Sequence, residues 1–225
     1  MTSRTRYRET LVVATSNRGK LEELRALVAG LELEVRAASE LLGETPDILE
    51  DGTTFAENAV KKARAVAQAT MTLTLADDSG LEVDALDGRP GVKSARFAHD
   101  RATDAENNAA LLSALGAFGE PSDVSSSRFP ARFRCVLALV DPYTGGGEPR
   151  TVEGVCEGTI TRTPRGSGGF GYDPLFVVSG TDKTMAELDA DDKNRVSHRA
   201  RAFSALRPIL EIVLEDRAKH VTRVE

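Results

Sequence analysis

The stretch that most limits how this chain can fold is Leu73-Thr74-Leu75-Ala76, an apolar, β-prone run leading straight into Asp77, Asp78, Ser79 and Gly80. Such a run belongs in a buried strand. A strand sends successive side chains to opposite faces, so Asp77 and Asp78 are expected to point in different directions. One can then be a structural partner while the other enters a site. Carboxylates at the end of a strand suit a hard cation such as Mg2+, which is held by one or two carboxylates plus substrate phosphates. Asp, Ser and Gly are also turn formers, and a plain turn before a second strand at 81–85 is the competing reading.

Around this strand the pattern alternates between α and β. Residues 11–14 read as a buried strand, and 18–29 as a helix with Leu21, Leu24, Leu27 and Val28 on one face and Gly30 at its end. A strand is expected at 33–37. Thr54 with Glu57, and Thr103 with Glu106, have the spacing of a capping box. The first opens a helix to about residue 69, burying Phe55, Ala59, Ala63 and Val66; the second opens one ending near Gly116. Segment 118–130, rich in Ser and Pro, reads as a loop. Residues 131–140 and 151–163 read as a hairpin joined by a glycine turn at 144–147, forming a second lobe. The last helix is expected from Ser197, kinked or interrupted by Pro208.

The chain has 225 residues, 40% hydrophobic and 28% charged, enough for one sizeable domain or two small lobes. Its net charge of -6 supplies no basic field for duplex nucleic acid, so no nucleic-acid partner is expected. No apolar run is long enough to span a membrane, and no signal-peptide core precedes the first strand, so a cytoplasmic protein is expected. Cys135 and Cys156 are expected to be buried, reduced and inert.

Four segments carry candidate chemistry. Thr15, Ser16, Asn17, Arg18, Gly19 and Lys20 join the first strand to the first helix. Hydroxyls, an amide and a lysine at a helix N-terminus form an anion cradle, without the Walker A pattern. Spacing alone leaves an ordinary N-cap with a solvated lysine equally open. The acidic segment 50–58 offers Glu50 or Glu57 as a companion to Asp78, against the plain reading of acids at a helix start. Gly166 to Gly171 contains G-x-G-x-x-G, but it leads into Pro174 and a strand, which excludes a dinucleotide fold. Its glycines let the backbone approach a planar ligand, and Phe170 or Tyr172 can supply a stacking face. Lys193, His198 and Arg199 gather basic groups at the last helix, where they oppose the helix dipole. Adjacent Ser197 and His198 do not make a nucleophile pair, and three histidines in all argue against a multi-histidine zinc site.

Taken in order, TSNRGK, EDGTTFAEN, ADDSGLEVDAL, RPGVKSARF, GFGYDPLF and residues 193–199 resemble the inosine/xanthosine triphosphate pyrophosphatase family of house-cleaning nucleotide hydrolases. The resemblance runs from Thr10 to Leu214. Each motif alone is weak; six in sequence are specific. The resemblance implies an α/β fold of two lobes, with a long mixed β-sheet flanked by helices and the nucleotide cleft between the lobes. It implies one domain over 10–217, with 1–9 and 218–225 as polar extensions, and a homodimer. The implied reaction is Mg2+-dependent hydrolysis of dITP, ITP or XTP to the monophosphate and pyrophosphate. Carried over by position, Thr15, Ser16, Asn17, Arg18, Gly19 and Lys20 hold the triphosphate. Glu50 and Asp78 assist the metal, Asp78 is the proton acceptor, and Ser79 touches the nucleotide. Phe170, Gly171, Tyr172, Asp173, Lys193, His198 and Arg199 form the base and phosphate pocket. Two other classes stay open: a nucleotide sensor that hydrolyses nothing, and a related pyrophosphatase acting on modified pyrimidines or ordinary dNTPs.

Overall fold

A computed structural model describes residues 8–44, 46–118 and 129–221. Six strands, β1 (Glu9–Val13), β2 (Leu33–Ala37), β3 (Thr74–Val83), β4 (Phe129–Val140), β5 (Arg150–Ile160) and β6 (Phe176–Val178), form one sheet in the order β2-β1-β3-β4-β5-β6. Pairing is parallel among β2, β1 and β3 and antiparallel from β3 to β6, so the sheet is mixed. The helices are α1 (Arg18–Val28), α2 (Ala38–Leu42), α3 (Phe55–Thr70), α4 (Asp104–Gly116), α5 (Ala190–Val196) and α6 (His198–Val221). Among the described residues regular structure extends from Glu9 to Val221, slightly into both stretches expected as polar extensions.

Three expectations are corrected. There is no turn at Asp77 to Gly80. β3 runs unbroken from Thr74 to Val83, because every residue from Thr74 to Val83 has a partner on β4, from Val140 back to Ala131. The β4–β5 hairpin therefore does not build a second lobe by itself; it forms the middle of a sheet that runs through both lobes. Pro208, too, does not interrupt α6, which continues through it from His198 to Val221. It lies on an exposed face, where water can satisfy the carbonyl that the missing N–H leaves free. Both capping boxes form, with Thr54 and Thr103 accepting from the backbone N–H of Glu57 and Glu106. Of segment 118–130, residues 119–128 lie outside the described residues, and Phe129 and Pro130 already belong to β4.

Strand alternation organises the core. On one face, Leu11, Val13, Leu75, Leu137 and Leu139 pack with Leu24 of α1 and Phe203, Leu206 and Leu210 of α6. On the other, Val12, Ala76, Val136 and Ala138 pack with Phe55, Ala59, Ala63 and Val66 of α3. At the far end of the long strands a third cluster gathers Leu81, Val83, Phe133, Ile160 and Phe176 with Leu111 and Leu115 of α4. These clusters are the cores of two lobes, and β3 passes from one to the other through Asp77, Asp78 and Ser79.

Candidate active site

The alternation that sends Leu75 to the α1/α6 face and Ala76 to the α3 face continues into the two carboxylates. Asp77 turns toward α1 and α6, and Asp78 toward α3. Asp77 is wholly buried. It receives Lys20 Nζ at 2.5 Å, Arg199 Nε at 2.8 Å, the Ser79 hydroxyl at 3.0 Å and the Cys135 thiol at 3.1 Å. Burial works against its charge, but the Arg199 and Lys20 cations prevail and hold its carboxyl well below the usual range. Asp78 accepts from Lys62 Nζ at 2.7 Å and, more weakly, from Asn58 Nδ2 at 3.4 Å. Lys62 also donates to Glu50 Oε2 at 2.9 Å, so one lysine bridges the two acids. Burial pushes Asp78 up to about 6, with Lys62 and Lys20 opposing. Glu50 is also raised by burial, but Lys62 more than compensates and leaves it below its ordinary value.

Two cavities meet here, and Asn17, Lys20, Ser79 and Ala95 line both. The first is polar; it takes in Thr15, Ser16, Glu50, Lys62, Asp78 and Arg96. The second is more apolar and takes in Glu23, Phe133, Phe170, Gly171, Tyr172, Asp173, Lys193, His198 and Arg199. Asn17 builds the entry to both. Its side chain caps α1 by accepting from Lys20 N at 3.0 Å, and its own N–H donates to Thr15 Oγ1 at 3.1 Å.

In the second cavity, Ser197 caps α6 by accepting from Ala200 N at 3.1 Å, which sets His198 and Arg199 at the helix start. Gly154 of β5 lets α6 come this close, since a Cβ there would collide with the backbone of His198 and Ala202. His198 stacks on Phe133 with ring centroids 4.9 Å apart. Its Nδ1 is buried without a hydrogen-bond partner. Burial and then the Arg199 charge push its pKa far down, so the ring is neutral. Lys193 is held between Glu23 and Asp173, at 2.7 Å from each. Arg199 also pairs with Glu23 through Nη1, and its Nη2 donates to Ser79 Oγ at 3.1 Å. The Phe170 ring is half-buried, 5.1 Å from Lys193 Nζ and 5.8 Å from Arg199 Cζ. It also lies against Gly19, where a Cβ would sit 2.5 Å from the ring.

Not every residue expected at the site offers a free side chain to a cavity. Arg18 turns outward to an exposed ion pair with Glu22 at 3.0 Å. Gly19 serves as a surface for Phe170. Tyr172 lines the second cavity but is largely buried in the core, with its hydroxyl donating to Ser94 O at 2.9 Å, whereas Phe170 is the more exposed of the two aromatics. Gly171 has its N–H on Asp104 Oδ2 at 2.7 Å and its carbonyl on Asn108 Nδ2 at 2.9 Å, which pins the glycine loop to α4. Glu57 caps α3 and is not part of the acid pair.

Residues 11–209 match the sequence model of the Ham1 family. The chain belongs to the Ham1 family. A dITP/XTP pyrophosphatase of Desulforamulus reducens is 51% identical over 200 residues, covering 89% of this chain and 94% of that relative. The dITP/XTP pyrophosphatase of Bacillus subtilis is 46% identical over 200 residues, covering 89% and 96%. Among solved structures, a HAM1 protein from Coxiella burnetii aligns with TM-score 0.76 at 43% identity, covering 90% of this chain and 98% of that one. A nucleoside-triphosphatase / dITP/XTP pyrophosphatase from Mycobacterium abscessus aligns with TM-score 0.66 at 42% identity, covering 88% and 99%.

Sequence reasoning missed several groups in this Ham1 site. Lys62 and Asn58 lie on the buried face of α3, among Ala59, Ala63 and Val66. A lysine on an otherwise apolar helix face was the available signal, since a buried cation requires an anionic partner. Glu23 gave a weaker one, one turn after Lys20. Among the described residues no three His, Cys, Asp or Glu side chains cluster as a metal-ligand set. Two convergent carboxylates are therefore the donor set on offer. Two hard oxygen ligands fit Mg2+, whose remaining positions are commonly filled by water and substrate phosphates.

Proposed function

We propose that this chain hydrolyses deaminated purine nucleoside triphosphates (dITP, ITP and XTP) to the monophosphate and pyrophosphate with Mg2+, clearing them from the nucleotide pool. The observation that carries the reading is the pair of joined cavities, one ending on Asp78, Glu50 and Lys62 and the other walled by Phe170, His198 and Arg199. A nucleotide laid across them puts its phosphates in the polar cavity and its base in the apolar one. In this reading residues 10–217 act as one unit. The active form is a cytoplasmic homodimer that takes free nucleotides and uses neither nucleic acid nor membrane. No described helix is long and apolar enough to cross a membrane.

Charge balance supports a metal requirement. Lys20, Lys62, Lys193 and Arg199 face Asp77, Asp78, Glu23, Glu50 and Asp173, so five carboxylates outnumber four cations before any triphosphate enters. Glu50 and Asp78 would hold Mg2+, which when bound neutralises phosphate charge and polarises the phosphoryl group. Thr15, Ser16 and the N-terminus of α1 cradle phosphate oxygens, and Lys20 adds a point charge. Asp78 accepts a proton from the attacking water. Its upward-shifted pKa brings it nearer the range of an effective general base than an exposed aspartate would be.

For the base, Phe170 supplies a stacking face that every purine can use. Selection rests on groups with hydrogen-bonding capacity to spare. Arg199 commits three of its N–H groups to Asp77, Glu23 and Ser79, which leaves two of the five that a guanidinium carries. Such donors pair with the 6-oxo group of hypoxanthine or xanthine and face the 6-amino group of adenine unpaired, a mismatch worth up to about 10⁴–10⁵ in discrimination. The test is a nucleotide panel with Mg2+ and identification of products. Release of pyrophosphate from dITP, ITP and XTP supports the reading; orthophosphate with diphosphate accumulating refutes the cleavage position. Binding without turnover refutes the enzyme.

A further inference from the structure

Asp77 lines neither cavity, yet it holds a side chain that serves each. Its Oδ1 takes Lys20 and Ser79, which line both cavities, and its Oδ2 takes Arg199, which lines only the apolar one. The Cys135 thiol from β4 fills the remaining acceptor position on Oδ2. The Arg199–Ser79 hydrogen bond closes a ring of three residues around the carboxylate. Asp77 is only 1% exposed, and its Cα is fixed by pairing with Leu137 across the sheet, so the carboxylate cannot follow one partner without disturbing the other. Neutralising a buried Arg199 does not by itself require this arrangement, because Glu23 already pairs with it.

We propose that Asp77 is a positioning residue that sets phosphate binding and base selection together, by holding Lys20 and Arg199 on opposite oxygens of one buried carboxylate. The proposal rests on the reading that phosphates and base divide between the two cavities. When Lys20 leaves Asp77 for a phosphate, Oδ1 keeps only the Ser79 donor, and more of the carboxylate's charge is available to Arg199. Phosphate engagement thereby tightens the guanidinium that faces the base.

The test is Asp77→Asn, which preserves shape and removes the charge. In the folded variant, kcat/KM for dITP should fall about 10- to 100-fold, the cost of losing a charge-assisted hydrogen bond. The dITP/dATP ratio of kcat/KM should fall as well, by about tenfold, in the same range. A variant with its circular dichroism intact and its ratio unchanged overturns the proposal, since a purely structural carboxylate would affect stability and not selection. Arg199→Ala, measured beside it, separates the two failures. If Arg199→Ala leaves the ratio unchanged, the base reading falls and the proposal with it. If Arg199→Ala moves the ratio and Asp77→Asn does not, only the proposal falls. Should Asp77→Asn not fold, a double-mutant cycle of Lys20→Ala with Arg199→Ala decides. Two residues sharing Asp77 should be non-additive in kcat/KM for dITP by more than about threefold, whereas independence within about twofold overturns the coupling.

Discussion

Asp78→Asn should make the protein more stable while removing its activity. The asparagine keeps the shape, and its amide oxygen can still accept from Lys62, now bonded at 2.7 Å. What it loses is the Asn58 contact, at 3.4 Å the weaker of the two. Burial raises the Asp78 pKa from 3.8 to about 6 despite Lys62 and Lys20, so the ionised carboxylate is a net cost to the folded state. That displacement corresponds to roughly 3 kcal/mol at the outside. For a chain of this size it predicts a rise in Tm of about 5–10 °C at neutral pH in metal-free buffer. The sign fixes the pH window. A carboxyl whose folded pKa is raised destabilises fully above about pH 6 and not at all below its unfolded value of about 4. The variant's advantage should therefore be greatest at pH 7–8 and vanish as pH falls through 6 toward 4. Turnover of dITP at saturating Mg2+, followed by pyrophosphate release, should drop about 10²–10⁴-fold through loss of the proton acceptor. Scanning calorimetry in EDTA across pH 4–8, with the turnover assay on the same preparations, is the measurement. A variant less stable than the parent at pH 7.5 would refute the electrostatic argument, and near-normal turnover would refute the assignment of Asp78. Near-normal turnover in Asp78→Asn with loss in Asp77→Asn would reverse the roles of the pair.

Three other outcomes follow from the same geometry. Lys20→Ala should raise KM and lower kcat together, because the phosphate charge it meets is present in both ground and transition states; an unchanged kcat/KM would leave Lys20 as a structural partner of Asp77. Phe170→Ala should lower kcat/KM for dITP and dATP by similar factors, since stacking does not distinguish bases, while Arg199→Ala lowers their ratio; steady-state kinetics on both nucleotides separate the two. Lys62→Met should leave Glu50 and Asp78 facing each other with their shared cation gone, lowering kcat by at least about tenfold and raising the Mg2+ concentration needed for half-maximal rate. A Mg2+ titration identical to that of the parent would show that Lys62 does not set the acid pair.

How much of this was legible depended on how far apart the interacting residues lie in the chain. The capping boxes were readable because Thr54 and Glu57, or Thr103 and Glu106, interact across one helical turn. The opposite orientations of Asp77 and Asp78 were readable because strand geometry imposes them on neighbours. The local rule failed at the supposed turn: Asp, Ser and Gly favour turns in isolation, but ten paired positions with β4 outweigh that preference. Lys62 and Glu23 were missed because their meaning comes from partners elsewhere, Asp78 sixteen residues from Lys62 and Arg199 far down the chain from Glu23. The six ordered motifs named residues that line the two joined cavities, among them Lys20, Glu50, Asp78, Phe170 and Arg199, but they said nothing of which side chains are paired. Lys193, read alone, is a free cation for a phosphate. Held between Glu23 and Asp173, it carries no uncompensated charge and instead fixes the wall on which Phe170 rests. Lys20 has one salt-bridge partner, Asp77, and that difference is why we propose that Lys20 binds phosphate while Lys193 shapes the base pocket.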